Sequence, residues 1–273
     1  MCLKGKIALV TGSARGIGRA IALSLAREGA HVGLIDVSEG LAETATMVRD
    51  LGVLAAWATC DISDADQVQE SVAAIVRELG SIDILVNNAS IQNIASIEKI
   101  TAPAWEREIS VNLNGAFHMV RAVIGGMAER RWGRIINISS IAARGGLFNQ
   151  SAYSASKAGL VGLTYNVTLE YARKGITCNA ILPGTIGSEA VMNMPAKIRD
   201  HIIGVTPAKR IGRPDEVGDL IAFLASDKAS FINGAEIDID GGGPPKRQSS
   251  GNRAQEIAWL ATFVGKGSAS TER

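Results

Sequence analysis

The sequence predicts an α/β fold: a doubly wound parallel sheet of about seven strands with helices on both faces, in a single domain. Three observations carry that prediction. Short apolar runs rich in Val and Ile alternate with longer segments at helical spacing. The apolar runs are continuous rather than alternating, as strands covered on both faces require. The first run passes through a glycine cluster straight into a helix, the connection of a βαβ unit.

The elements follow in order. Ile7-Ala8-Leu9-Val10 reads as the first buried strand, stopped by Thr11-Gly12, and Ile17 to Glu28 as a helix ended by Gly29. His31 to Ile35 is the second strand, Leu41 to Leu51 a helix closed by Gly52, and Leu54 to Thr59 the third strand. Asp64 to Leu79 reads as a helix whose first turn is acidic, where negative charge favours the helix dipole. Ile82 to Val86 is the fourth strand, and Ala104 to Arg130 contains a long helix with Gly125-Gly126 near its end. Gly133 to Ile138 is the fifth strand, Ala152 to Lys174 a helix ended by Gly175, and Ile176 to Leu182 the sixth strand. Pro214 to Leu224 reads as a helix, and Glu236 to Ile239 as the last strand before Gly241-Gly242-Gly243.

Composition sets the limits of function. The 273 residues carry 28 Lys and Arg against 27 Asp and Glu, a formal charge of +1, which gives no pull toward nucleic acid or an anionic membrane. Hydrophobic residues are 47% and charged residues 20%, a globular balance. No apolar run is long enough to span a bilayer, and Met1 to Lys6 has no signal-peptide pattern. Cys2, Cys60 and Cys178 suit neither a disulfide framework nor a zinc site, and the scattered His31, His118 and His201 suggest surface or cap roles, so no metal site is expected. These readings place the protein in the cytoplasm.

Thr11-Gly12-Ser13-Ala14-Arg15-Gly16-Ile17-Gly18 joins the first strand to the first helix. A helix N-terminus presents unpaired N–H groups and a positive dipole end, a seat for pyrophosphate. Gly12 suits the tight turn, Gly16 lets the backbone approach phosphate oxygens, and Gly18 permits close helix packing. Asp36 ends the second strand, where a carboxylate accepts hydrogen bonds from both adenosine ribose hydroxyls and repels a 2′-phosphate. NAD is therefore favoured over NADP, although Arg15 pulls toward the phosphate.

Tyr153-Ser154-Ala155-Ser156-Lys157 opens a helix, so Tyr153 and Lys157 share a face. A cation beside a phenol stabilises the phenolate, which makes Tyr153 a candidate general acid/base.

At this point the chain resembles the short-chain dehydrogenase/reductase family in its standard single-domain, Rossmann-type form. The glycine loop, Cys60-Asp61, Asn87-Asn88-Ala89, Val111-Asn112-Leu113, Asn137-Ile138-Ser139-Ser140, Tyr153 to Lys157, Pro183-Gly184, Arg213 to Val217 and Asp240-Gly241-Gly242 carry the likeness, in order, over residues 5 to 243. The resemblance implies a role for each position. Tyr153 passes a proton to or from the substrate oxygen, Lys157 binds the nicotinamide ribose and lowers the Tyr153 pKa, and Ser140 holds the carbonyl or hydroxyl. Asn112 keeps a water that links Lys157 to solvent, while Asn114 is structural. Gly12, Ser13, Arg15, Gly16, Ile17, Gly18 and Asp36 belong to the cofactor site. Asn88 and Ala89 join the adenosine ribose side, Asp61 and Ile62 the adenine, and Pro183, Gly184, Ile186 and Ser188 the nicotinamide side.

The sequence departs from the family's pattern at Ser90 and Ala143, both expected at the substrate cleft. Cleft-lining candidates include Ile91, Gln92, Ile94, Ile141, Leu147, Phe148, Gln150, Met192 and Met194. With Ser140 and Tyr153, Leu147 and Gln150 are the substrate residues, and 186 to 210 reads as a mobile lid. This mostly apolar set suits a mid-sized, weakly polar alcohol or ketone. Arg144 reads as a solvated surface residue rather than a carboxylate binder. Ala155, Gly159 and Gly162 on the helix from Ala152 suit the subunit pairing of the family, which implies a homotetramer, or at least a dimer.

Residues 1–243 are thus read as one dinucleotide-binding catalytic domain and 244–273 as an extension: a linker, a helical segment over Ala254 to Val264, and a tail. The segment either docks on a neighbouring subunit or hangs free. The leading functional reading is an NAD-dependent dehydrogenase or reductase interconverting a secondary alcohol and a ketone. An NADPH-dependent 3-oxoacyl carrier-protein reductase and a non-catalytic dinucleotide-binding scaffold are the alternatives.

Overall fold

All seven predicted strands form and pair in parallel. The computed structural model describes residues 1–243; the linker, helical segment and tail read after Gly243 lie outside the described residues. In chain order the elements are β1 (Ile7–Thr11), α1 (Gly16–Arg27), β2 (His31–Asp36), α2 (Leu41–Arg49), β3 (Ala55–Thr59), α3 (Ala65–Leu79) and β4 (Ile84–Asn87). They continue with α4 (Ala102–Ile109), a π-helical turn (Ser110–Asn114), α5 (Gly115–Arg130), β5 (Gly133–Ile138), α6 (Ala142–Gly145) and α7 (Ser151–Tyr171). Then come β6 (Ile176–Pro183), α8 (Glu189–Met192), α9 (Ala196–Val205), α10 (Pro214–Ala225) and β7 (Glu236–Ile239).

The sheet order is β3-β2-β1-β4-β5-β6-β7. The order reverses between β1 and β4, so connections leaving those two strands diverge to opposite faces and open a crevice at their carboxyl ends. Apolar side chains of α1, α2 and α10, such as Leu25, Val48 and Ile221, form the core on one face. Those of α3, α5 and α7, such as Ile75, Met119 and Val167, form the core on the other. The continuous apolar strands are buried on both sides by this arrangement.

Helix starts follow local chemistry. The Asp64 side chain accepts from the backbone N–H groups of Asp66 and Gln67 to cap α3, and Thr101 accepts from Ala104 N–H to cap α4. Pro214 opens α10, where the Glu216 carboxylate reaches back to Arg213 N–H at 2.7 Å.

The differences from the sequence reading are local. The long helix within 104–130 is interrupted by the π-helical turn, the helix from Ser151 tightens into a 3₁₀ turn at Ala172–Lys174, and α6, α8 and α9 lie in segments read without structure. β4 starts at Ile84 rather than Ile82, with the Asp83 N–H donating to the Ile7 carbonyl of β1 just ahead of it.

Candidate active site

The carboxyl ends of β1, β2 and β4 surround a cavity of about 370 Å³. Gly12, Arg15, Gly16, Ile17, Gly18, Asp36, Asp61, Ile62, Asn88, Ala89 and Ser188, all candidates from the sequence, lie together on its wall. The loop is fixed by close approach. Gly12 has φ +64°, and a Cβ there would stand 2.7 Å from Ala89 Cα. A Cβ on Gly18 would stand 2.0 Å from the Gly12 carbonyl oxygen, so the helix seats directly on the turn. Asn88 braces the same loop, its amide donating to the carbonyls of Thr11 and Gly12 at 3.0 Å each. Asn88 thus holds the glycine turn while also lying on the cavity wall. Thr11 Oγ1 accepts from the backbone N–H groups of Asn88 and Ala89 and locks β1 to β4.

Asp36 accepts from Ala14 N–H at 3.0 Å and Ser38 N–H at 3.1 Å, which fixes its carboxylate at the cavity edge. Asp61 pairs with Arg107 at 2.7 Å and accepts from Ser63. Burial pushes its carboxyl up, but Arg107 and Ser63 hold it below the ordinary carboxylate range. Two further candidates have buried side chains. Ser13 is fully buried, its hydroxyl donating to the Ile35 carbonyl, and the Ile186 side chain packs into the core. Pro183 and Gly184 lie at the end of β6 but not on the wall of this cavity, Gly184 backing closely on Asp240.

Glu189 was not foreseen. Its carboxylate accepts from Gly16 N–H at 3.4 Å and so sits on the N-terminus of α1. No spacing marks this residue in the sequence; it gains its place only when the lid segment folds across a helix 173 residues earlier.

The second half of the site is carried by β5, α7 and the π-helical turn. Ser140 follows β5 and accepts from Ala142 N–H at 3.1 Å. Tyr153 and Lys157 project from one face of α7, the Lys157 ammonium lying 5.5 Å from the centre of the Tyr153 ring. Ser140 lies near enough to the Tyr153 phenol to act on its ionisation. Lys157 is fully buried, and its Nζ donates to the Ile138 carbonyl at 2.8 Å. Ser139 ties the helix down by donating to the Lys157 carbonyl. The Asn112 amide donates to the Ile91 carbonyl, its Oδ1 accepts from Ile91 N–H, and it also donates to Ser156 Oγ. Ile91 lies on the cavity wall, so Asn112 fastens the cofactor cleft to the helix bearing Tyr153 and Lys157. The π-helical turn aims Asn112 inward, a local distortion frequent at functional sites.

The electrostatics correct one expectation. Burial pushes the Tyr153 phenol up, the Ser140 hydrogen bond opposes this, and the Glu108 carboxylate raises it further. The net direction is upward, where the resemblance implies a lowered phenol. Burial lowers Lys157 itself to about 8, with Glu108 opposing. A lysine whose pKa is lowered on folding binds fewer protons than the unfolded chain between about 8 and 10.5, so stability rises with pH through that window. Below it the folded state bears the cost of a buried ammonium. Lys157→Met removes this titration, so the rise of stability between about pH 8 and 10.5 seen in the wild type should be absent from the variant, as melts across that window would show.

The substrate side is a rim of loops. Ala95 N–H donates to the Asn149 carbonyl, and Gln92 donates to Gln150, joining the 91–95 and 147–150 segments. Ile94, Leu147, Phe148 and Met192 are exposed around this rim. Arg199 caps the carbonyls of Met192 and Met194 and stitches α8 to α9. Arg144 is exposed at the surface, as expected, and there it pairs with Glu236 at 2.6 Å and Asp238 at 2.8 Å, covering the edge strand β7.

Comparison with known proteins agrees with this geometry. The model of a family described as enoyl-(acyl carrier protein) reductase matches residues 12–243. Acetoacetyl-CoA reductase from Shinella zoogloeoides is 42% identical over 244 residues, 87% of this chain and 98% of that protein. Among solved structures, levodione reductase matches with a TM-score of 0.84 at 37% identity, covering 88% of this chain and 98% of its own. NAD⁺-bound xylitol dehydrogenase matches with a TM-score of 0.84 at 34% identity, covering 89% and 100%. The chain belongs to the short-chain dehydrogenase/reductase family. It is an NAD(P)-dependent oxidoreductase acting on CH–OH groups. No helix among the described residues is long and apolar enough to cross a membrane.

Proposed function

We propose that the protein interconverts a secondary alcohol and a ketone with NAD, Tyr153 serving as general acid/base. The observation that carries this reading is the grouping of Ser140, Tyr153 and Lys157 beside a cleft built on a glycine turn. The residues fit a dinucleotide. The α1 N-terminus already accepts an anion, the Glu189 carboxylate, at Gly16 N–H, and Asp36 presents a carboxylate at the cavity edge. Gly12 to Gly18 would hold the pyrophosphate, Asp36 and Asn88 the adenosine side, and Ser188 with Lys157 the nicotinamide side. The chemistry such a cofactor supplies when bound is hydride exchange at the carbinol carbon.

The chain's own residues do the rest. Ser140 holds the substrate oxygen in line with the phenol. Tyr153 gives that oxygen a proton on reduction and takes it on oxidation. A protonated Lys157 stabilises the phenolate electrostatically and orients the ribose, and Asn112 keeps the helix and cleft in register. The exposed apolar rim selects a weakly polar substrate.

An NADPH-dependent 3-oxoacyl carrier-protein reductase is the second reading; Arg15 on the cavity wall favours it, and Asp36 opposes it. A panel of cyclic and linear ketones and a 3-oxoacyl thioester, each assayed by the absorbance of reduced nicotinamide with NADH and NADPH, separates them. The first reading expects turnover of a plain ketone with NADH above NADPH. Turnover confined to the thioester with NADPH would replace it. We further propose a homotetramer in which the exposed Ala155, Gly162 and Leu169 of α7 meet a second copy.

Glu189 and the pyrophosphate would compete for one seat. Glu189→Ala is expected to tighten NADH binding about two- to five-fold, read by fluorescence titration. Weaker binding would mean that Glu189 assists the cofactor rather than occupying its place.

A further inference from the structure

Helix α4 buries one side chain, and that side chain is Glu108. Its neighbours Glu106 and Arg107 are exposed, and Arg107 is paired with Asp61. A carboxylate at the sole buried position of an amphipathic helix forgoes the stability an apolar residue would supply there, so it needs partners inside the protein. Glu108 has some. Oε2 accepts from the Asn93 backbone N–H at 3.2 Å and from its side-chain amide at 3.3 Å. Oε1 is buried with no hydrogen-bond partner. α4 packs against α7. The charged group of α7 that acts on Glu108 is Lys157, and the loop contributes only the neutral Asn93.

We infer that Glu108 is a positioning residue for the Tyr153–Lys157 pair: a buried carboxylate that holds Lys157 as the ammonium and fastens the 91–95 loop to α4. The inference rests on the reading of Tyr153 and Lys157 given above. Its physical content is charge balance. With Lys157 sealed from solvent, the ammonium needs an opposing charge inside the protein, and the Ile138 carbonyl supplies only a dipole. The carboxylate favours the ammonium, and it disfavours loss of the Tyr153 proton. Glu108 thus sets the pH range in which a neutral phenol coexists with a charged lysine. Burial pushes the Glu108 carboxyl up, while Asn93 and Lys157 draw it back. Through Asn93 the same carboxylate anchors the loop whose next residue, Ile94, stands on the substrate rim.

Two measurements test this. In protein labelled at the glutamate carboxyl carbon, the Glu108 resonance is titrated in the wild type and in Lys157→Met. The inference expects its midpoint to rise by about half a pH unit or more when the ammonium is removed; an unmoved midpoint overturns it. The second is the pH profile of alcohol oxidation for the wild type and Glu108→Gln, using the alcohol that corresponds to the panel's fastest ketone. Gln keeps an acceptor for Asn93 but removes the charge, so both limbs should shift toward acid by about half a unit or more. A lower rate with an unshifted profile shows a merely structural role and also overturns the inference. Should either variant fail to fold, the other measurement decides. Tyr153→Phe run alongside distinguishes the failures: full turnover there refutes the acid/base reading itself, whereas an inactive Tyr153→Phe with an unshifted Glu108→Gln refutes only the role of Glu108.

Discussion

Tyr153→Phe should lower turnover by a factor of about 10³ or more, in the upper part of the range for loss of a positioned acid/base. The side chain keeps its ring and loses only the hydroxyl on which Ser140 acts. Packing on α7 is therefore preserved, and so is the Lys157 contact with Ile138, which does not involve the phenol. NADH affinity and melting temperature should stay close to those of the wild type. The expected signature is a fall in kcat with cofactor binding retained, because the proton handled by the phenol matters only in the reaction step. A variant that kept its turnover would return the protein to the dinucleotide-binding scaffold class.

Asp36→Asn should reverse the cofactor preference. Asn retains one acceptor for Ala14 N–H, so the loop after β1 stays in place. It loses the charge that would bind ribose hydroxyls and repel a 2′-phosphate. A hydrogen bond to a charged group contributes about 1.5–3 kcal/mol, so kcat/KM with NADH should fall about ten-fold or more. With the repulsion gone and Arg15 on the same wall, kcat/KM with NADPH should rise. Equal losses with both cofactors would show that Asp36 acts only through the loop.

Residues whose meaning is local were legible in the sequence. The glycine turn is set by backbone approach within one βα connection, and Tyr153 and Lys157 meet because four residues make about one helical turn. The strands were legible because burial on both faces forces continuous apolar runs. What escaped depends on elements distant in the chain. Arg144 reads as a surface cation and is one, but its pairing with Glu236 appears only when β7, 92 residues later, comes alongside. Glu189 acquires its partner 173 residues away. The inward turn of Ser13 and Ile186 depends on which side of a loop meets the core, a choice that residue type alone does not make. Glu108 sits at the buried position of α4, where the pattern of exposed neighbours would call for an apolar residue. The upward direction at Tyr153 is not legible because helical spacing fixes proximity alone, whereas burial and Glu108 act on the phenol in the folded chain.

A crystal structure of the protein with NADH bound tests the whole account at its centre. The account predicts the nicotinamide ring beside Ser140 and Tyr153, its ribose within reach of Lys157, the adenosine ribose on Asp36, and Glu189 withdrawn from Gly16. A dinucleotide bound with its ring turned away from Tyr153, or seated outside the glycine turn, would contradict it.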